Sequence, residues 1–255
     1  MPASSPRTVE AVQKASAIVQ VLGERDGLGV TAIANHVDFS KSTVHGHLST
    51  LVDEGFVVRD GDTYRLGFEF VALAASIIDN RVTNLEVIRD EVQRLAEDTG
   101  EQVRFTVEEN GYVACIDRRE GEDAIKHTFG IGDRMPMHST AAGKAILAEY
   151  PREDVEGILD HHGLPEQTEH TVTDVAEFYE ELEATEARGF SIDDGEHVLG
   201  VRSIGKVVTI PEDGVLGALS ISGPTTRMTD DRLETELHTE IAQAANVIEV
   251  ESIHS

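Results

Sequence analysis

Apolar positions fall into a helical rhythm from residue 9 onward. Val12, Ala15, Val19 and Leu22 stand at i, i+3, i+7 and i+10, the spacing of one helix face. Gly23 and then Asp26-Gly27 are expected to end that helix. A shorter helix begins at Val30 or Thr31 and puts Ile33, Ala34 and Val37 on one side. Asp38-Phe39-Ser40 reads as a turn, and Ser40 suits the N-cap of a third helix. There Val44, Leu48, Leu51 and Val52 repeat at i, i+4, i+7 and i+8, and Gly55 stops the helix. The period then changes to that of strands. Phe56, Val57 and Val58 run out, Asp60-Gly61 signals a tight turn, and residues 63–66 return. Three short helices followed by a two-stranded ribbon predict a winged helix-turn-helix over residues 1–66.

The pattern after that point is different. FEFVALAASII, residues 68–78, is an apolar, small-residue-rich helix within a linker at 67–82. So apolar a helix needs a partner surface: its own copy in another subunit, or the domain beside it. Residues 83–255 read as a third region. An amphipathic helix over 83–99 carries Leu85, Ile88, Val92 and Leu95 in phase. Val103, Phe105 and Val107 alternate, Asn110-Gly111 turns, and Tyr112, Ala114 and Ile116 alternate back. A strand is expected over 124–129, then a helix from Ser139 or Thr140 through Ala148. Helices follow over 155–159 and 175–188, the latter closed by Gly189, and core strands over 198–210 and 216–222. Thr229 with Asp230 and Asp231 opens a last helix, where first-turn carboxylates suit the helix dipole. Helices flanking an antiparallel sheet make an α+β domain.

Charge complicates the winged helix. The chain of 255 residues has 48 Asp and Glu against 21 Lys and Arg, a formal net charge of −27. Phosphate attracts basic surfaces, so this balance argues against nucleic acid. The excess is uneven, however. Residues 1–66 hold 6 basic and 8 acidic side chains, whereas residues 67–255 hold 15 and 40. Only the second region is strongly acidic. With 5 Lys to 16 Arg and 5% aromatic residues, the composition suits a halophilic protein, because at ~1 M salt the Debye length is about 3 Å and carboxylate repulsion is screened. A lone Cys115 allows no disulfide within one chain. MPASSPRTVE has no leader-like apolar run, and the run over 70–78 is far short of the ~18 residues of a membrane span. The expected location is cytoplasmic, with no membrane partner.

A third helix of a winged domain lies in a DNA major groove with its N-terminal residues at base edges. The face opposite its apolar stripe carries Lys41, Ser42, His45, Gly46 and Ser49. Ser40 and Thr43 stand where a helix N-terminus meets phosphate, and Arg59 and Arg65 flank the wing turn. These nine residues are the candidate DNA-binding set; a protein-interaction module built on the winged helix is the alternative. Catalytic patterns are weak. His138 occupies the first glycine position of a would-be P-loop, no G-x-S-x-G or H-E-x-x-H occurs, and His138-Ser139 with Lys144 is not a triad. His161 and His162 with His170 and His197 could hold a metal, but His161 and His162 read rather as solvated surface residues. No enzyme activity, cofactor or metal is expected, although a metabolic enzyme with an accessory winged helix is the competing class.

SKSTVHGHLSTLVDEGFV followed by YRLG resembles the DNA-binding half of the IclR family of transcriptional regulators. MPMHSTAAGKAIL (135–147), ARGFSIDDGEHVLGVRSIG (187–205) and LGALSISGPTTRMTDDRL (216–233) resemble that family's effector domain, in its order. Two departures stand out: the family commonly has Arg where this chain has Gly46, and often Cys at Ser203 with Ala-Ala-Pro at Gly205-Lys206-Val207. The resemblance implies a GAF/PAS-like α+β effector domain joined by the linker helix to the winged helix. It also implies a homodimer or homotetramer on a double-stranded DNA operator, regulating a catabolic operon and gated by a small-molecule effector. The implied effector-binding residues are Ala141, Ala142, Asp193, Val201, Ser203, Ser220, Ser222 and, as a weaker match, His127. Asp193 and the serines suit hydroxyls, and the free amides of Ala141, Ala142 and Gly143 suit a carboxylate. The expected ligand is a sugar acid, a 2-oxo acid or an aromatic acid.

Overall fold

The computed structural model describes residues 8–125, 129–211 and 214–253. The chain divides between Arg81 and Val82 into two units. In the first, helices α1 (Glu10–Glu24), α2 (Val30–Val37) and α3 (Lys41–Asp53) precede strands β1 (Val57–Asp60) and β2 (Thr63–Leu66) and helix α4 (Glu69–Arg81). Ile18, Leu22, Ile33, Val44, Leu48, Val57 and Tyr64 form one core, so α2, α3 and the wing close on each other as their periods predict, whereas α1 turns Ile18 with Leu22 inward and leaves Val12 of the expected stripe 66% exposed and Ala15 and Val19 half-buried. Gly23 does not end α1, which runs on to Glu24. The wing turn also shifts by one residue. Asp60 pairs with Thr63, which leaves Gly61 and Asp62 as the two-residue loop, with Gly61 at φ +59°. Leu28 pairs with Tyr64 beside the wing. No residue of α4 is buried, and Phe68 before it is 89% exposed. Its Phe70 ring touches Phe56 at 5.4 Å.

The second unit is an α+β domain built on a six-stranded antiparallel sheet of order β5-β4-β3-β8-β7-β6. Its strands are β3 (Gln102–Glu109), β4 (Tyr112–Glu120), β5 (Arg134–Pro136), β6 (Ser191–Asp194), β7 (Val201–Ile210) and β8 (Gly214–Pro224). Helices α5 (Leu85–Thr99) and α10 (His238–Ile253) pack together and on the sheet. Between β5 and β6 lie α6 (Ala141–Leu147), α7 (Arg152–His162) and α8 (Val175–Arg188). A one-turn α9 (Asp230–Arg232), capped by Thr229, and a wider π turn (Leu233–Leu237) lead into α10. Glu101, nearly fully buried, accepts from Arg227 at 2.9 and 2.6 Å and from Arg232 at 2.8 Å, tying this end of the chain to β3.

Both faces of this sheet are covered, which corrects three expectations. Buried side chains on β4 are Val113, Cys115 and Asp117, not Tyr112, Ala114 and Ile116. A bulge pairs Phe105 with Asp117 but Thr106 with Cys115, so Ile116 has no partner of its own. Ala124, Ile125 and Phe129 lie outside strands, and residues 126–128 are outside the described residues. Strand β7 starts at Val201, after a turn at 198–200, while β5 and β6 were not foreseen. Among the described residues, no helix is long and apolar enough to cross a membrane.

Candidate functional site: a polar cleft and a winged-helix face

Register places one row of side chains per strand pair on the α6 side of the sheet. Thr106, Ala218 and Val207 form one row, Arg104, Ser220, Gly205 and Ser191 the next, and Gln102, Ser222, Ser203 and Asp193 the third. The first row is mostly apolar; Ala218 and Val207 pack with Ala142, Ile146, Phe178 and Leu182. The next two rows are polar. Helix α6 begins over Gly205, where a Cβ would meet the Ala141 carbonyl carbon at 2.5 Å, so only glycine lets the helix approach this closely. Ser191 Oγ donates to the Ala141 carbonyl at 2.5 Å and fastens the contact.

Where the apolar packing ends, a narrow cleft with a cavity volume of about 30 Å³ remains. Ala141, Ala142, Asp193, Val201, Ser203, Ser220 and Ser222 all line it. The structure thus brings together seven residues the motifs had singled out. His127 lies outside the described residues. Arg104, Thr106, Phe129, Thr140 and His197 are further walls that the motif reading missed.

Several details differ from the expected chemistry. Gly143 does not offer a free amide: its N–H donates to Thr140 Oγ1 at 3.2 Å, and that hydroxyl donates to the Pro136 carbonyl at 3.1 Å. Among the described residues, Ala141 and Ala142 are the first-turn donors left without a capping partner. Ser203 and Ser222 hydroxyls bond each other at 2.9 Å, whereas Ser220 makes no such bond. Asp193 Oδ1 accepts from the backbone N–H of Glu196 at 2.8 Å and of His197 at 3.3 Å, so it caps the turn after β6 as well as lining the cleft. Burial pushes its carboxyl up to about 7, against the opposing pull of Lys144. Lys144, 1% exposed, pairs with Glu196 at 2.5 Å and Glu181 at 3.5 Å; burial raises the Glu196 pKa as well.

The four histidines once weighed as ligands take separate partners. His161 and His162 stack edge-on, with His162 also against Tyr112, while His170 contacts the Asp194 carbonyl and His197 the Ser139 hydroxyl. His138, which burial holds below the usual histidine range, bonds the Pro165 carbonyl instead of Ser139.

On the winged helix, Ser40 caps α3 by accepting from Thr43 N–H at 3.1 Å, and its hydroxyl also contacts those of Ser42 and Thr43. Lys41, Ser42, His45, Gly46 and Ser49 are exposed, and Thr43 is half-buried. Thr31 and Asn35 of α2 join His45 and Arg59 around an open groove, an addition sequence reasoning did not make. The wing arginines are not free cations: Arg65 pairs with Asp60 at 2.6 Å, and Arg59 donates to the Gly61 carbonyl at 2.8 Å with Asp62 at 3.9 Å. Exposed pairs of this kind are weak, about 0–1 kcal/mol, so phosphate can displace them. A Cβ on Gly46 meets nothing within 4 Å. Gly46→Ala should therefore stabilise the winged-helix unit by about 1 kcal/mol, read as a shifted denaturation midpoint; an unchanged or lower midpoint would show that α3 needs glycine there.

Residues 11–61 match the IclR helix-turn-helix domain, and residues 80–250 match the C-terminal domain of bacterial IclR transcriptional regulators. The chain is 30% identical over 245 residues to the acetate operon repressor of Salmonella typhimurium, covering 94% of this chain and 89% of that protein. It is 28% identical over 249 residues to a probable helix-turn-helix transcriptional regulator, ArcR, of Halobacterium salinarum, covering 96% and 94%. The crystal structure of Thermotoga maritima IclR superposes with a TM-score of 0.80 at 25% identity, over 94% of this chain and 98% of that one.

Proposed function

The chain belongs to the IclR family of transcriptional regulators, and from that premise we propose that it represses or activates a catabolic operon under the control of a small metabolite held in the cleft. Family members are regulators, not enzymes. The observation that carries the reading is the cleft itself: a pocket at the first turn of α6, lined by Asp193 and three serines, on a sheet otherwise closed by apolar packing. Ser40, Lys41, Ser42, Thr43, His45, Gly46 and Ser49, with Arg59 and Arg65 on the wing, are the proposed DNA contacts. The exposed α3 face supports this set.

A winged helix reading a palindromic operator calls for two-fold symmetry. The unburied apolar residues of α4, Val71, Leu73 and Ile77, are the proposed dimer surface, and two dimers on one operator make the tetramer. The domain limits that go with this reading are 1–66, 67–82 and 83–255. A cytoplasmic site of action in a high-salt cell suits the carboxylate-rich composition and the Halobacterium relative. Coupling then arises from the effector's different affinities for DNA-competent and incompetent states.

A gel shift at high salt with the DNA upstream of the chain's own gene tests the proposal. A specific complex that a metabolite weakens or strengthens is expected; no sequence-specific shift at any salt would sink it. With Arg59→Ala, all sequences should bind more weakly by the same factor, and the slope of log affinity against log salt should fall by about 0.9. A loss confined to one operator position would assign Arg59 to a base instead.

A further inference from the structure

Among the described residues, Arg104 is a charged side chain without a counter-ion. It lies on β3, is 7% exposed and lines the cleft. Its Nε and one terminal nitrogen are buried and make no hydrogen bond. Among the described residues, no carboxylate stands within ion-pair distance of it, although the chain carries 48. Glu101, three residues earlier and just before β3, is already paired with Arg227 and Arg232. Burial pulls the Arg104 pKa below the ordinary arginine value, yet a guanidinium stays protonated at neutral pH. A buried, uncompensated cation is costly to fold around. Such a cost persists where the missing partner arrives as a ligand.

Position limits what that ligand is. Arg104 pairs across the sheet with Ser220, and Ser220 with Gly205, the residue beneath the Ala141 end of α6. At about 4.8 Å per strand, roughly 10 Å separates the Arg104 and Gly205 backbones. Between them on β8 lies the Ser220 hydroxyl; one row along stand the Ser222–Ser203 pair of β8 and β7 and, one strand beyond, Asp193 of β6. A compact molecule with an anionic end and a hydroxyl or oxo end fills this space. The guanidinium fork matches a planar carboxylate through two parallel hydrogen bonds. The opposite end meets serines and the Ala141 and Ala142 amides.

We propose that Arg104 is the specificity-determining residue of the cleft, seating the carboxylate of a small 2-hydroxy- or 2-oxo-carboxylate across from the α6 turn. This rests on the effector-site reading given above and narrows it. The sheet arginine, not the helix terminus, holds the charge, so neutral analogues of the same shape are rejected.

The test is calorimetric binding and thermal shift on the full chain at fixed salt, with pyruvate, glyoxylate and lactate as probes and lactamide and pyruvamide as neutral counterparts. Wild type should bind at least one carboxylate about 30-fold more tightly than its amide and gain melting temperature on saturation. Arg104→Met should lose that discrimination while melting, without ligand, no lower than wild type, because an unpaired buried charge is gone. Arg104→Lys, which keeps the charge without the fork, should fall between. A marked drop in ligand-free melting temperature for Arg104→Met, with carboxylate binding intact in Arg104→Lys and Arg104→Met alike, would make the arginine structural and overturn the proposal. Amide binding that Asp193→Ala abolishes and Arg104→Met spares would also overturn it, leaving the effector reading standing. If no probe binds, but exchanging chloride for sulfate shifts wild type and not Arg104→Met, the site holds an inorganic anion and the carboxylate proposal fails. If no probe binds and neither Asp193→Ala nor Arg104→Met alters any response to anion or metabolite, both readings fall.

Discussion

Lys144→Met should cost the effector unit about 3–5 kcal/mol at pH 8, the usual penalty for removing one member of a buried ion pair. Lys144 is 1% exposed and 2.5 Å from Glu196, with Glu181 at 3.5 Å and Arg188 beyond it at 3.2 Å from Glu181. Methionine keeps much of the stem's volume, so the loss is mainly electrostatic. Glu196 is the group left exposed to the change. Its second oxygen, Oε2, already lacks a partner, and burial already raises its pKa, with Lys144 opposing. Without the ammonium, the carboxyl is expected to take a proton, and the penalty shrinks as the pH falls. The pair is too buried for salt to screen as it screens exposed charges, so the loss should persist in concentrated KCl. Urea midpoints of wild type, Lys144→Met, Glu196→Gln and the double variant measure the coupling. The double variant should recover at least about 2 kcal/mol relative to the sum of the single losses. Strict additivity would mean that the two groups do not sense each other.

The elements that sequence reasoning located are those that carry a period. The stripes of α3 and α5, the span of α8 with its closing Gly189, the Asn110-Gly111 hairpin and the helix starts at Ser40 and Thr140 stand where the sequence put them. The strands β5 and β6 span three and four residues, too short for alternation to register. Arg104 shows the deeper limit. Val103, Phe105 and Val107 alternate with Gln102, Arg104 and Thr106 as in a strand wet on one side. Helices instead cover both faces, and all of these but Val107 are buried. Alternation reports which residues can share a face, not whether water reaches it. On β4 the buried Val113 and Cys115 stand opposite Glu108 and Thr106, on the face away from Phe105, and the bulge then brings Asp117 opposite Phe105; nothing in the sequence marks either. The cleft residues Ser203, Ser220 and Ser222 were legible only through motif resemblance, because serines on strands carry no pattern of their own. The same resemblance was silent on Arg104, whose role depends on what fails to stand beside it.

Asp193→Asn should make the protein more stable at pH 8 and leave it unchanged near pH 4. The buried carboxyl titrates at about 7 against an ordinary 3.8, so the folded chain holds a proton that the unfolded chain has already lost. Between those values the unfolded state binds fewer protons, and stability declines as pH rises. Below about pH 4 both states are protonated and the penalty is absent; above about pH 7 both are ionised and it is complete. At about 1.4 kcal/mol per pKa unit the full penalty is on the order of 4 kcal/mol. The surrounding charges fit that sign. Burial outweighs Lys144 from α6, Glu196 in the adjoining turn adds repulsion, and the two backbone N–H groups on Oδ1 offset only part. Arg104 faces the same cleft from β3. Asparagine can keep the turn-capping bonds through its own Oδ1 while carrying no charge, so it mimics the protonated aspartic acid at every pH. Urea midpoints at pH 5 and pH 8 should therefore differ by another amount for wild type than for Asp193→Asn, in the sense of a stability loss toward pH 8 that only wild type carries, while Glu196 and His138 contribute equally to both proteins. Parallel pH profiles for the two proteins would show that Asp193 is solvated in solution and titrates as an ordinary carboxylate. If that loss appears, the cleft floor stores strain that a hydrogen-bonding effector can relieve, and the effector's stabilisation of the protein should be larger at pH 8 than at pH 5.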